Sequence, residues 1–180
     1  MASPSKRICW DSCAWIALIQ KEKIIDARTG AVEDRYAACR AIIDLTERTR
    51  KIELVVSALA LAEVCKHPGV SSTPDDKIQE YFEHEYILTI PVDVLVGTTA
   101  RRLMLAGHAR LKPPDAVHLA TAIVANVDEL HTFDGPLLDL DGLLTKSDGT
   151  PLRICKPGGG AAPLPLDQAA DERENNDGND

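Results

Sequence analysis

Short apolar runs alternate along this chain with longer segments whose apolar residues recur every three or four positions. The runs are Ile8 to Trp10, Glu53 to Ser57, Tyr86 to Ile90, Glu129 to Thr132 and Leu152 to Cys155. Glu53 to Ser57 is β-branched and apolar throughout its middle, as a central strand buried on both faces requires. The helical spacing covers Ala14 to Gln20 and Ala31 to Arg50, the latter with Val32, Ala38, Ile42, Ile43 and Leu45 on one side. Further helices are predicted over Ala58–Lys66, over a polar segment Asp75–Glu85, and over Val92–Ala109. A last one opens at Asp115 behind Pro113 and Pro114, because proline fits the first turn of a helix and an acid there meets exposed N–H groups. Strands alternating with helices predict a mainly parallel sheet covered on both faces, a three-layer α/β/α sandwich.

Proline and glycine clusters punctuate the pattern at His67-Pro68-Gly69, at Ser71 to Pro74 and at Gly135-Pro136. From Pro157 the chain is glycine, proline, alanine and acids, with almost nothing to bury. The expected organisation is one domain over residues 1–156 and a disordered acidic tail over residues 157–180. The 180 residues suffice for one domain with a real core. No apolar run approaches the roughly 20 residues of a membrane span, and the polar start up to Arg7 does not read as a signal peptide, so a cytoplasmic protein with no membrane contact is expected.

Charge changes this picture little. The net charge of −8 divides evenly. Six acids and two bases from Lys156 onward carry half of it, so the body is only mildly acidic and a phosphate-rich partner is not excluded. The five cysteines form no Cys-x-x-Cys pair, which argues against a zinc ribbon or a disulfide framework. Cys9 and Cys65 lie in apolar runs and are expected to be small buried side chains.

The candidate chemistry lies in four acids at comparable places. Asp11 ends the first strand, Glu63 lies in the helix after the second, Asp115 starts a late helix, and Asp134 follows a further strand. Any one of them alone is explained by a cap or a turn. In an open parallel sheet, however, ligands bind beyond the carboxyl ends of the strands. Four carboxylates gathered there repel each other and need a counter-charge. A hard, oxygen-preferring cation, Mg²⁺ or Mn²⁺, supplies it and suits attack of water on a phosphodiester. Arg110 and Lys112, just before Asp115, are candidates for holding RNA phosphates, with a solvated helix end as the plainer role. His118, His131, Trp10 and Trp15 are expected to be core residues first.

Four segments together carry a family resemblance: Ile8-Cys9-Trp10-Asp11-Ser12, Ser57 to Val64, Pro113 to Ala122 and Leu130 to Leu137. In this order, each with its acid, they resemble the PIN domain over roughly Ile8 to Leu144, and within it the VapC toxins of VapBC toxin–antitoxin pairs. The resemblance implies a metal-dependent endoribonuclease with Asp11, Glu63, Asp115 and Asp134 as catalytic metal ligands. It implies hydroxyls near the metal-bound water at Ser12 and Thr132 and one near the second acid at Ser57, with a cap or turn role open for all three. It also implies an antitoxin partner and a homodimer. The alternative is a PIN-like scaffold that binds RNA or protein without cutting, which loss of an acid would favour; none is lost. A haloacid-dehalogenase-like phosphohydrolase needs a second aspartate two residues after the first, where this chain has Cys13. A structure-specific DNA nuclease would carry a basic arch, which the chain lacks.

Overall fold

The computed structural model describes residues 6–25, 28–66, 75–107 and 111–159. Among the described residues five strands form one sheet in the order β5-β4-β1-β6-β7. They are β1 (Lys6–Trp10), β4 (Ile52–Ser57), β5 (Ile87–Ile90), β6 (Glu129–His131) and β7 (Arg153–Cys155). Every ladder between them is parallel. A small antiparallel pair, β2 (Ile24–Ile25) with β3 (Val32–Glu33), stands apart. The helices are α1 (Ser12–Ile19), α2 (Arg35–Thr49), α3 (Ala58–Lys66), α4 (Asp75–Glu80), α5 (Val94–Leu105), α6 (Pro113–Val124) and α7 (Gly135–Leu138).

Alternation along the central strands sorts the core into two layers. Ile8, Trp10, Leu54 and Val56 face α1, α2, α3 and α4, where Trp15, Ile43, Val64 and Phe82 close the core. Cys9, Val55, Leu130 and Ile154 face the opposite way, toward Leu119 and Ile123 of α6. The expected three-layer sandwich is therefore the observed fold. Trp10 and Trp15 are fully buried, with ring centroids 4.9 Å apart, and Trp15 lies 4.7 Å from Phe82. They are core, as expected.

Helix α6 is buried along most of its length because its alanines leave room for α5. Ala116 and Ala120 meet Val96 and Ala100. Pro113 and Pro114 occupy its first turn, and Asn126, in the left-handed region at φ 49°, follows its end. Helix α5 begins later than the apolar pattern suggested, because the Asp93 side chain accepts from Val96 N–H at 2.9 Å and sets the start. Asp93→Ala is expected to destabilise the protein by about 1 kcal/mol, the usual worth of an N-cap. A denaturant midpoint that does not move would show that the cap is dispensable.

Two expectations need correction. The helix expected from Ala31 begins only at Arg35, capped by Asp34, because Val32–Glu33 pairs as a strand with Ile24–Ile25. Cys65 is exposed, because it follows the buried Val64 onto the outer side of α3, whereas Cys9 is buried as expected. All five cysteines are free thiols. Pro157 is buried, Lys156 pairs with Glu33, and a Cβ on Gly158 would lie 3.9 Å from Ala38 Cβ. The chain therefore packs against α2 through Gly158, and residues 160–180 of the expected tail lie outside the described residues.

Candidate active site

Chain connections leave β1 toward β4 on one side and arrive at β6 on the other, so the topological switch lies between β1 and β6. That is the crevice where an open α/β sheet binds its ligands. Asp11 follows β1, and Thr132 and Asp134 follow β6. Trp10 pairs with His131, and Asp11 N–H donates to the His131 carbonyl at 3.3 Å, which holds the two strand ends level.

Asp11 is 4% exposed and both its oxygens are engaged. Oδ1 accepts from Ala14 N–H at 3.1 Å, capping α1, and from the Cys13 thiol at 2.9 Å. Oδ2 accepts from Thr132 Oγ1 at 2.5 Å. Thr132 Oγ1 in turn accepts from Asp134 N–H at 2.9 Å, so one buried hydroxyl ties the first acid to the backbone of the fourth. Asp134 occupies the N-cap position of α7 but makes no capping bond with its side chain. Its carboxylate is not spent on the helix and lies near enough to Asp115 to raise that acid's pKa.

Glu63 is held by His118, and Asp115 lies one turn before it on the same helix. His118 lies one turn after Asp115 on α6, is 3% exposed, and brings Nε2 within 2.7 Å of Glu63 Oε2. Ser12 Oγ donates to the same Glu63 oxygen and stands 3.0 Å from His118 Nε2. Asp115 accepts from Lys112 N–H at 3.3 Å. Thus Ser12 and Thr132 both touch a candidate acid. Ser57 instead accepts from Leu59 N–H at 3.3 Å, the cap role that stood open for it beside a role at the second acid. Lys112 is exposed at the α6 start beside Asp115, and Arg110 lies outside the described residues.

The electrostatics are those of a crowded acidic edge. Burial pushes the Asp11 carboxyl above its ordinary range, although Cys13, Thr132, the nearby His118 and Ala14 N–H all pull it down. Asp115 is also pushed up, first by burial, with Lys112 N–H opposing and the charge of Asp134 adding to the rise. Three of the four acids sit at helix starts, where exposed N–H groups favour negative charge.

The sign of the resulting pH effect is fixed. A carboxyl whose folded-state value is raised supports folding fully below its unfolded value and loses that support as pH rises through the folded one. Glu129, by contrast, is held down at about 2, and Glu33 and Asp34 are also lowered, so their support is complete above the ordinary carboxylate range. Metal-free protein is therefore expected to melt at a lower temperature as pH rises from about 5 to about 7. A flat or rising melting temperature over that interval would contradict the reading of Asp11 and Asp115.

The donor set fits a hard cation: four carboxylates with two hydroxyls beside them. Cys13 is the one soft group in contact, and burial together with the charge of Asp11 pushes its thiol far up, so it stays a protonated donor. Among the described residues, no set of three drawn from the four acids has its oxygens all within 4.8 Å of one another.

Two contacts were not anticipated from the sequence. Cys13 links Asp11 to Phe133, whose N–H donates to Sγ at 3.0 Å. His118, expected to be a satisfied core histidine, is buried but turns Nε2 to Glu63 and Ser12; among the described residues Nδ1 has no hydrogen-bond partner. The available signal was the spacing from Asp115 to His118, which puts both on one helix face.

The PIN domain model matches residues 8–143, and the chain belongs to the PIN domain family, a family of nucleases. Among solved structures its fold is similar to that of VapC toxins. VapBC2 of Rickettsia felis, solved bound to a DNA fragment from its promoter, is 13% identical with a TM-score of 0.52, covering 82% of this chain and 98% of that one. VapC20 of Mycobacterium tuberculosis, described as a toxin that cleaves the sarcin–ricin loop, is 15% identical with a TM-score of 0.49, covering 71% of this chain and 90% of that one. No curated protein matches at a significant level. Among the described residues no helix is long and apolar enough to cross a membrane.

Proposed function

We propose that this chain is a metal-dependent endoribonuclease that hydrolyses RNA phosphodiesters with Mg²⁺ or Mn²⁺ held by Asp11, Glu63, Asp115 and Asp134. We further propose that it serves as the cytoplasmic toxin of a toxin–antitoxin pair. The observation that carries the reading is the pair of contact groups at one sheet edge: Thr132 bonds both the Asp11 carboxylate and the Asp134 backbone, and Ser12, next to Asp11, bonds Glu63 together with His118, while the charge of Asp134 raises the pKa of Asp115. A bound divalent ion would polarise the phosphate and lower the pKa of the attacking water. The chain's own groups orient that chemistry. Thr132, Cys13 and Ala14 N–H fix Asp11, while Ser12 and His118 fix Glu63 where it can ligate or direct the water. Lys112, and Arg110 by sequence position, would meet the RNA backbone.

The two-component VapBC2 neighbour supports an antitoxin partner, and a basic side chain from such a partner would replace the cation's charge among the carboxylates. A homodimer is part of the same proposal. The test is cleavage of a mixture of structured and unstructured RNA with Mn²⁺ or Mg²⁺, with and without EDTA. Cleavage that disappears with EDTA and returns with excess metal is expected. Cleavage that persists in EDTA would reject the metal site. Folded protein that binds RNA but cuts none under any condition would favour the scaffold reading.

A further inference from the structure

One group of metal-ligating side chains lies outside the acidic edge. Glu129, His131 and Cys155 are all buried, and one ligand atom from each lies within 4.8 Å of the others. The sheet brings them together. Glu129 and His131 are two residues apart on β6, hence on one face, and His131 is paired directly with Cys155 on β7. They share the face of Ile8 and Trp10, since Ile8 pairs with Glu129 and Trp10 with His131. Beside Ile8 and Trp10 of the neighbouring strand this face thus carries three polar, ligand-capable groups, with Lys6 at its edge. Part of this cluster is satisfied without a cation. Glu129 accepts from Lys6 Nζ at 2.8 Å and lies 2.9 Å from His131 Nε2. Among the described residues, those contacts leave His131 Nδ1 buried without a hydrogen-bond partner in a residue only 1% exposed.

We propose that Glu129, His131 and Cys155 form a binding site for a transition-metal cation of borderline softness, Zn²⁺ in the first instance, clamping β6 to β7. The donor set selects the ion. One sulfur, one imidazole and one carboxylate match zinc, and the sulfur disfavours Mg²⁺. Bonds of about 2.0–2.3 Å around a tetrahedral ion place ligand atoms about 3.5 Å apart, so closure needs side-chain adjustments of only about 1 Å. Lys6 and Arg153 are the cations beside the cluster, and Asp141 is a further acid near Cys155. Lys6 and Arg153 are 17% and 55% exposed in their side chains, so both have a path to solvent when a divalent ion takes their place. This site is independent of the proposed nuclease function, although His131 directly precedes Thr132 and a clamp there would steady the strand end that holds Asp11.

Co²⁺ is the probe, because a cysteine thiolate on Co²⁺ gives a near-ultraviolet charge-transfer band that carboxylates cannot give. The full chain is titrated with Co²⁺ under a reductant that does not bind metal, and then with Zn²⁺ in competition. One equivalent of Co²⁺ with a thiolate band, displaced by Zn²⁺, is expected. Cys155→Ser and His131→Ala are expected to abolish the band or weaken binding by about 100-fold, at the upper end of effects around metal sites. Asp115→Asn and Cys13→Ala are expected to leave it intact, which separates this cluster from the acidic edge. In an Asp115→Asn background, which removes a ligand of the acidic edge, Zn²⁺ should also raise the melting temperature when Cys155 is present but not with Cys155→Ser, so a poorly folding His131→Ala does not remove the test. A folded wild type with no thiolate band would overturn the proposal. So would a band that survives Cys155→Ser or vanishes in Cys13→Ala.

Discussion

Replacing Asp11 with Asn is expected to lower RNA cleavage by about 10³-fold, the scale on which one preorganised charge matters in a catalytic site. The same change is expected to raise the melting temperature of the metal-free protein at neutral pH. Both effects come from one carboxylate. Burial raises the free-energy cost of its charged form, and the three hydrogen bonds to it only partly offset that cost. Asn keeps an acceptor for Ala14 N–H and the Cys13 thiol, and Thr132 can turn its hydroxyl to accept from the amide. The fold is thus retained, the charge that would hold a cation is removed, and the pH slope of the melting temperature should flatten. Asp115→Asn is expected to lose cleavage similarly but to gain less stability, because Asp115 is more exposed. An Asp11→Asn protein that cuts RNA as wild type does would remove Asp11 from the site. One that is inactive because it is unfolded would show that the carboxylate is needed as a cap rather than as a ligand.

The parts of this molecule written in single segments were legible in its sequence. Asp11 and Asp134 directly follow apolar runs, and Pro113-Pro114 announces the helix that carries Asp115, so strand ends and helix starts could be assigned locally. Their order then implied one sheet edge. The pair of two-residue strands Ile24–Ile25 and Val32–Glu33 was not legible, because two residues show no periodicity. Asp34 was the overlooked signal there: an acid whose side chain caps Ala37 N–H marks where the helix begins. The side of α3 that Cys65 occupies depends on which stripe faces the sheet, and a nine-residue helix of mostly alanine and leucine leaves that stripe ambiguous. Contacts between elements were illegible for a different reason. Glu63, Ser12 and His118 come from three separate helices, so only the packing of α1, α3 and α6 reveals that they meet. The pairing of His131 with Cys155 likewise depends on β7 joining the sheet beside β6.

His118→Ala is expected to reduce cleavage by about 10–100-fold, the usual cost of removing a group that orients a metal-site ligand. Glu63 is partly exposed and sits within a helix, without the backbone N–H bonds that steady Asp11 and Asp115. Its Oε2 is directed by Ser12 and by His118 Nε2 at 2.7 Å, and the imidazole is itself locked by burial. Without it, the Glu63 side chain regains rotamer freedom that the remaining contacts, the Ser12 hydroxyl among them, oppose less well. The loss should therefore appear mainly in turnover at saturating metal, with a smaller weakening of Mn²⁺ binding. His118→Gln is expected to recover part of the activity, because an amide N–H can reach toward the same carboxylate oxygen. A purely packing role predicts otherwise: a lower melting temperature, unchanged turnover per folded molecule, and no advantage of Gln over Ala. Measuring turnover, Mn²⁺ affinity and melting temperature for both variants separates the two roles, and unchanged turnover in folded His118→Ala would assign the residue to the core alone.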